Sequence, residues 1–300
     1  MNQDTEDLCS LSKYKSFPLE NFLKMDYAKP LFTAVAIYLL VQGIGLWISW
    51  TGPGGEEGIV KMVEDGEVLP PVVEEPEDPI SSLQIFLYVI IMTGVILILL
   101  KYKFDIIIKI FVLLALLGGL SITFWGLIGR FGFFVALLLF LFAIWKRENI
   151  LLMNMILIFT IPGIGSWLGS SLGFIPSLLL LIGLAIYDII AVFGTKHMVK
   201  LAEEAKGRIP MMFAIPIGDR YLGLGTGDLA IPLAFSVSIL RESILKDTSI
   251  LPAITASLGG CIGLIALFFY VLNKKEVTLP ALPPIALGLI LGFGIGMIFL

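Results

Sequence analysis

Apolar blocks of about 20 residues recur along almost the whole chain, and each is long enough to cross a bilayer as a helix. Lipid cannot solvate open main chain, so helices are the natural spanning element here. The blocks predict an all-α polytopic membrane protein with nine spans. These are Pro30–Trp50, Leu83–Leu100, Ile106–Ile128, Phe131–Trp145, Ile150–Leu168, Ile175–Phe193, Asp228–Leu245, Ile250–Leu272 and Pro280–Leu300.

Composition agrees with that reading: 58% of residues are hydrophobic and 15% charged, against about 45–50% and about 25% in soluble domains. The chain reads as one membrane domain over residues 1–300. Residues 1–27 are polar and mixed in charge and lack a signal-peptide pattern; they form a cytoplasmic segment before an uncleaved first anchor. Residues 28–174 carry helices one to five, with an acidic, Pro-rich outer loop at 51–82 whose composition predicts exposure and mobility. Residues 175–300 carry helices six to nine.

Lys and Arg set the orientation. With the N-terminus inside, fifteen fall on the inner side and four on the outer (Lys61, Arg130, Arg241, Lys246), with Lys109 inside the third span. This predicts a cell-membrane protein with a cytoplasmic N-terminus and an outer C-terminus. No basic cluster points to nucleic acid. Cys9 and Cys261 form neither a disulfide framework nor a zinc pattern, and His197, the only histidine, has no companions for a metal set. No metal or cofactor is expected.

Two carboxyls stand out. Asp188 lies deep in the sixth span, where insertion costs about 2.5–3.5 kcal/mol and demands a partner, a cavity or water. Asp228 opens the seventh span after Gly223, Gly225 and Gly227, with Pro232 beyond it. Glycines permit a tight turn and a close approach, and Pro232 weakens the helix. Loose backbone there is where an extended peptide could pair. Consecutive spans run antiparallel, so the two carboxyls can meet at similar depth on the inner side. Carboxylates at close range tend to share one proton, which suits general acid–base hydrolysis. On these two residues alone, proton-coupled secondary transport fits as well as proteolysis.

Further motifs carry a resemblance. Tyr187-Asp188 resembles the YD motif, and Gly225-Thr226-Gly227-Asp228 the GxGD motif, of the presenilin and signal-peptide-peptidase family of intramembrane aspartyl proteases. Pro280-Ala281-Leu282, within LPALP, resembles its PAL motif. All three fall in the family's order, on the sixth, seventh and ninth spans. The run after Asp188 is similar to signal peptide peptidases, while LPALP and the inside N-terminus are similar to presenilins; the mixture resembles an archaeal presenilin homologue. The resemblance implies a presenilin-type fold and peptide hydrolysis within the membrane by Asp188 and Asp228. It implies a substrate-binding surround of Tyr187, Gly225, Thr226, Gly227, Pro280, Ala281 and Leu282, and transmembrane peptide or protein substrates. The loop between the catalytic spans is short beside animal presenilins, which speaks against a need for accessory subunits. A prepilin-type peptidase also uses GxGD but lacks the PAL turn. Two weaker readings stand apart from the family: Met211–Ile217 as a re-entrant edge or substrate-docking strand, and a Gly288, Gly292, Gly296 stripe that packs on another helix.

Overall fold

A computed structural model describes residues 25–52, 57–66, 78–80, 83–88, 91, 95, 102, 104–146, 149–195, 212–217, 220–272 and 280–299. Helix α1 runs Met25–Trp50, five residues earlier than its apolar block suggests, and a short α2 follows at Ile59–Glu64. Then come α3 (Asp105–Ile128), α4 (Gly132–Trp145), α5 (Ile150–Ser170) and α6 (Phe174–Ile189), the last continued by a π-helical turn at Ile190–Thr195. A hairpin of β1 (Met212–Ile217) and β2 (Arg220–Gly225) leads into α7 (Gly227–Leu245), α8 (Leu251–Leu272) and α9 (Leu282–Ile298).

Among the described residues, five stretches are long and apolar enough to cross a membrane: Lys29–Trp50, Ile106–Trp145, Ile150–Ser170, Phe174–Phe193 and Leu251–Val271. The second is 40 residues long and is broken at Gly129 (φ 68°), where a 3₁₀ turn lets α4 fold back on α3. A Cβ at Gly132 would lie 2.2 Å from the Phe124 carbonyl oxygen, so only glycine allows the turn to close this tightly. Helix α4 is short, at 14 residues. Helix α9 is apolar but has 17, and α7 carries Asp228, Arg241 and Glu242. Residues 83–88 of the second expected span are helical; most of the remainder, like His197, lies outside the described residues.

Helix α7 is the hub. It packs on α1, α5, α6, α8 and α9, and it is buried almost continuously from Leu229 to Ser243. A helix enclosed on all sides has no lipid-facing stripe to keep apolar. That is how it can carry Ser236, Ser238, Arg241 and Ser243, with Ser238 hydrogen-bonded to Ser177 of α6. Helices α8 and α9 meet through glycine. A Cβ at Gly288 would stand 2.1 Å from the Gly259 carbonyl oxygen, and one at Gly292 2.2 Å from that of Thr255. The Gly288–Gly296 stripe therefore packs on α8, at a backbone distance that only small residues permit.

One part of the acidic 51–82 loop departs from the expected exposure. Its Ile59-Val60 pair is buried, and α2 packs against α1 and α5. The apolar spacing Ile59, Val60, Val63 gives this single turn and a half a face to bury. Glu64, at its end, hydrogen-bonds the buried Arg241 guanidinium at 3.0 Å, joining the loop to the far end of α7.

Candidate active site

Asp188 occupies the last turn of α6, two residues before the π-helical turn begins at Ile190. Its Oδ2 accepts a hydrogen bond from the Leu282 main-chain N–H at 3.1 Å, and the N–H of Ala281 also reaches the carboxyl. These donors are supplied by the start of α9. The first turn of a helix has N–H groups without intrahelical acceptors and carries partial positive charge. Pro283 and Pro284 have no N–H to offer, so Ala281 and Leu282 are the donors left at this helix start. Asp188 thus sits against the N-terminus of α9.

Asp228 stands in the first turn of α7. Its carboxyl accepts the main-chain N–H of Gly225, the last residue of β2, and lies within electrostatic reach of Asp188. A Cβ at Gly225 would fall 2.8 Å from Asp228 Oδ2, so any larger residue there must displace the carboxyl. Each aspartate is therefore held by main-chain N–H groups, Asp188 by the start of α9 and Asp228 by the end of β2, and the two carboxyls share one locality between α6, α7 and α9.

The other expected residues differ in their surroundings. Thr226 caps α7 through its carbonyl, which accepts from Leu229 and Ala230. Gly227 is exposed, with open space where a Cβ would be. Pro280 and Leu282 are buried at the approach to α9, with Ala281 partly so. Tyr187 packs edge-on against Phe86, ring centroids 6.4 Å apart, an aromatic contact beside the pair.

The run Met211–Ile217 supplies β1. Its pairing with β2 is antiparallel, from Met212 opposite Gly225 to Ile217 opposite Arg220. Phe213, Ile215 and Leu224 bury one face of the hairpin, while Gly223 on β2 is exposed. Asn154 of α5 hydrogen-bonds both main-chain groups of Ala214. Sequence reasoning missed Asn154, because a lone amide near the start of a span looks like an interfacial residue.

A bundle of apolar helices brings two carboxyls into one locality beside a two-stranded hairpin, an arrangement suited to general acid–base hydrolysis. Two solved structures of a presenilin family intramembrane aspartate protease, in C222 and P2 space groups, share the fold. Each is 24% identical over 90% of this chain; they are covered over 100% and 98% of their own lengths, with TM-scores of 0.64 and 0.59. The family model for signal-peptide peptidase, presenilin aspartyl protease matches residues 60–224, more than half of the chain. The chain belongs to that family. It is an aspartic endopeptidase and a multi-pass membrane protein, and family membership decides between proteolysis and proton-coupled transport. The matched segment contains Asp188 and ends just before Gly225.

Proposed function

We propose that Asp188 and Asp228 form the catalytic pair and that the chain cleaves transmembrane segments of other proteins at the inner side of the bilayer. The observation that carries this is the convergence of both carboxyls between the starts of α7 and α9. One carboxyl is ionised and takes a proton from water as that water attacks the scissile carbonyl carbon. The other is protonated and donates to the carbonyl oxygen. The gem-diol then collapses, its C–N bond breaking as a proton passes to the departing nitrogen. The pair titrates as a unit, so neither role is given to one residue.

A helical substrate must unwind before water can reach its peptide bond. The exposed edge of β2 offers main-chain groups to receive the unwound strand, and that edge leads to Asp228. Gly225, Thr226 and Gly227 line the approach from one side and Pro280, Ala281 and Leu282 from the other, with Tyr187 flanking. Nine spans, a cytoplasmic N-terminus and an outer C-terminus fit the Lys and Arg distribution, with helices six to nine forming the catalytic part of a single membrane domain. Substrates with an outer N-terminus match that orientation, and the chain acts without accessory subunits.

The test uses the purified chain alone in liposomes with a fluorogenic transmembrane peptide. Asp188→Asn and Asp228→Asn keep the side-chain shape and remove the acid–base function, so each is expected to lower kcat by about 10⁴-fold or more. Wild-type turnover in either variant sinks the assignment.

A further inference from the structure

Asn154 lies in the second turn of α5, away from all three sequence motifs, and its side-chain amide makes both bonds that a neighbouring strand would make. Its Nδ2 donates to the Ala214 carbonyl at 2.9 Å, and its Oδ1 accepts from the Ala214 N–H at 3.1 Å. In an antiparallel ladder the N–H and C=O of one residue point to the same edge. Ala214 therefore turns both groups away from β2. Its cross-strand partner Gly223 turns both away from β1. Asn154 fills the outer edge of β1 at its middle, and among the described residues no strand pairs with the outer edge of β2. Gly225 lies two residues along, on the same edge as Gly223, and its N–H is taken by Asp228.

A continuous chain of contacts follows. Asn154 grips Ala214; β1 sets the register of β2; Met212 lies opposite Gly225; and Gly225 holds Asp228. Helix α5 is itself locked into the core by the burial of Met153, Ile156 and Leu157 around Asn154, so the amide is a fixed reference rather than a loop contact.

We propose that Asn154 is a positioning residue: it registers the hairpin against α5, sets where Gly225 presents Asp228, and leaves β2 as the edge on which a substrate strand can pair. This rests on the reading that the unwound substrate pairs with the hairpin. The choice of scissile bond is then set partly by an amide outside the carboxyl pair, because a shift of the hairpin along α5 moves the substrate against the aspartates.

The experiment uses the full chain in liposomes and a transmembrane peptide whose products are mapped by mass spectrometry. Asn154→Leu removes both bonds, Asn154→Asp keeps the acceptor alone, and Asn154→Gln keeps donor and acceptor on a longer stem. Asn154→Leu is expected to lower kcat about 10- to 100-fold with a smaller change in KM, and to spread cleavage to neighbouring peptide bonds. Asn154→Gln restores the wild-type cleavage position, which a merely structural role would not require. If Asn154→Leu does not fold, Asn154→Asp carries the same expectation in weaker form. In parallel, single N-methylated amides are scanned through the substrate with the wild-type chain. A blocking position in that scan, together with wild-type products and kcat within about twofold for Asn154→Leu and Asn154→Asp, overturns the role of Asn154 alone. A scan with no blocking position overturns strand pairing on the hairpin, and this inference with it.

Discussion

Gly225 carries a constraint that its neighbour Gly227 does not. A methyl group at Gly225 would stand 2.8 Å from Asp228 Oδ2, whereas at Gly227 nothing lies within 4 Å. Gly225→Ala is therefore expected to turn Asp228 away and to lower kcat about a hundredfold with thermal unfolding unchanged; Gly227→Ala is expected to act on KM. Steady-state kinetics beside a melting curve separates the two. The aspartates themselves were legible because a carboxyl in an apolar span is costly enough to mean something. Their hydrogen-bond donors were not, since main-chain N–H groups at 225, 281 and 282 have no signature beyond the glycines and prolines around them. The motif resemblance pointed at those positions without saying that Asp188 would rest on the start of α9. Asn154 had no signal at all: its partner is the main chain of a strand sixty residues away.

The elements most easily read were those whose apolar runs match bilayer length. Helices α3, α4 and α5 begin and end within two residues of expectation because charged or polar residues bound them. Helix α2 escaped notice because six residues inside an acidic loop look like loop; its burial depends on α1 and α5 offering a surface. The glycine stripe on α9 was legible as a packing face, and its partner became clear only in three dimensions. That seam has a functional edge, because Gly288 lies six residues from the Leu282 that donates to Asp188. Gly288→Val places bulk against the Gly259 carbonyl, which is expected to cost about 1–3 kcal/mol of stability and to weaken cleavage as α9 tilts. Thermal unfolding in detergent and the peptide assay read both. Loss of stability with full activity would show that the α9 start is held by other contacts.

At the scale of the whole molecule, the hub position of α7 explains why a helix bearing Asp228 and Arg241 is tolerated within an apolar bundle: neither side chain has to face lipid. The short α4 has no such shelter. Its fourteen residues reach about 21 Å, while a typical hydrocarbon core is about 30 Å thick. Lys146, just past its end, sits over the Phe142 and Trp145 rings, 5.8 and 5.7 Å from their centroids, so its charge turns back toward the helix. In the proposed nine-span topology, local thinning of the bilayer is one way to accommodate α4, and we propose that it operates here. Turnover in vesicles of short-chain lecithins should therefore exceed turnover in long-chain ones at equal protein density, and equal rates across chain lengths would refute it. The enzyme would then be sensitive to the thickness of its host membrane, working fastest where the lipid sheet is already thin and idling where the lipid sheet is thick.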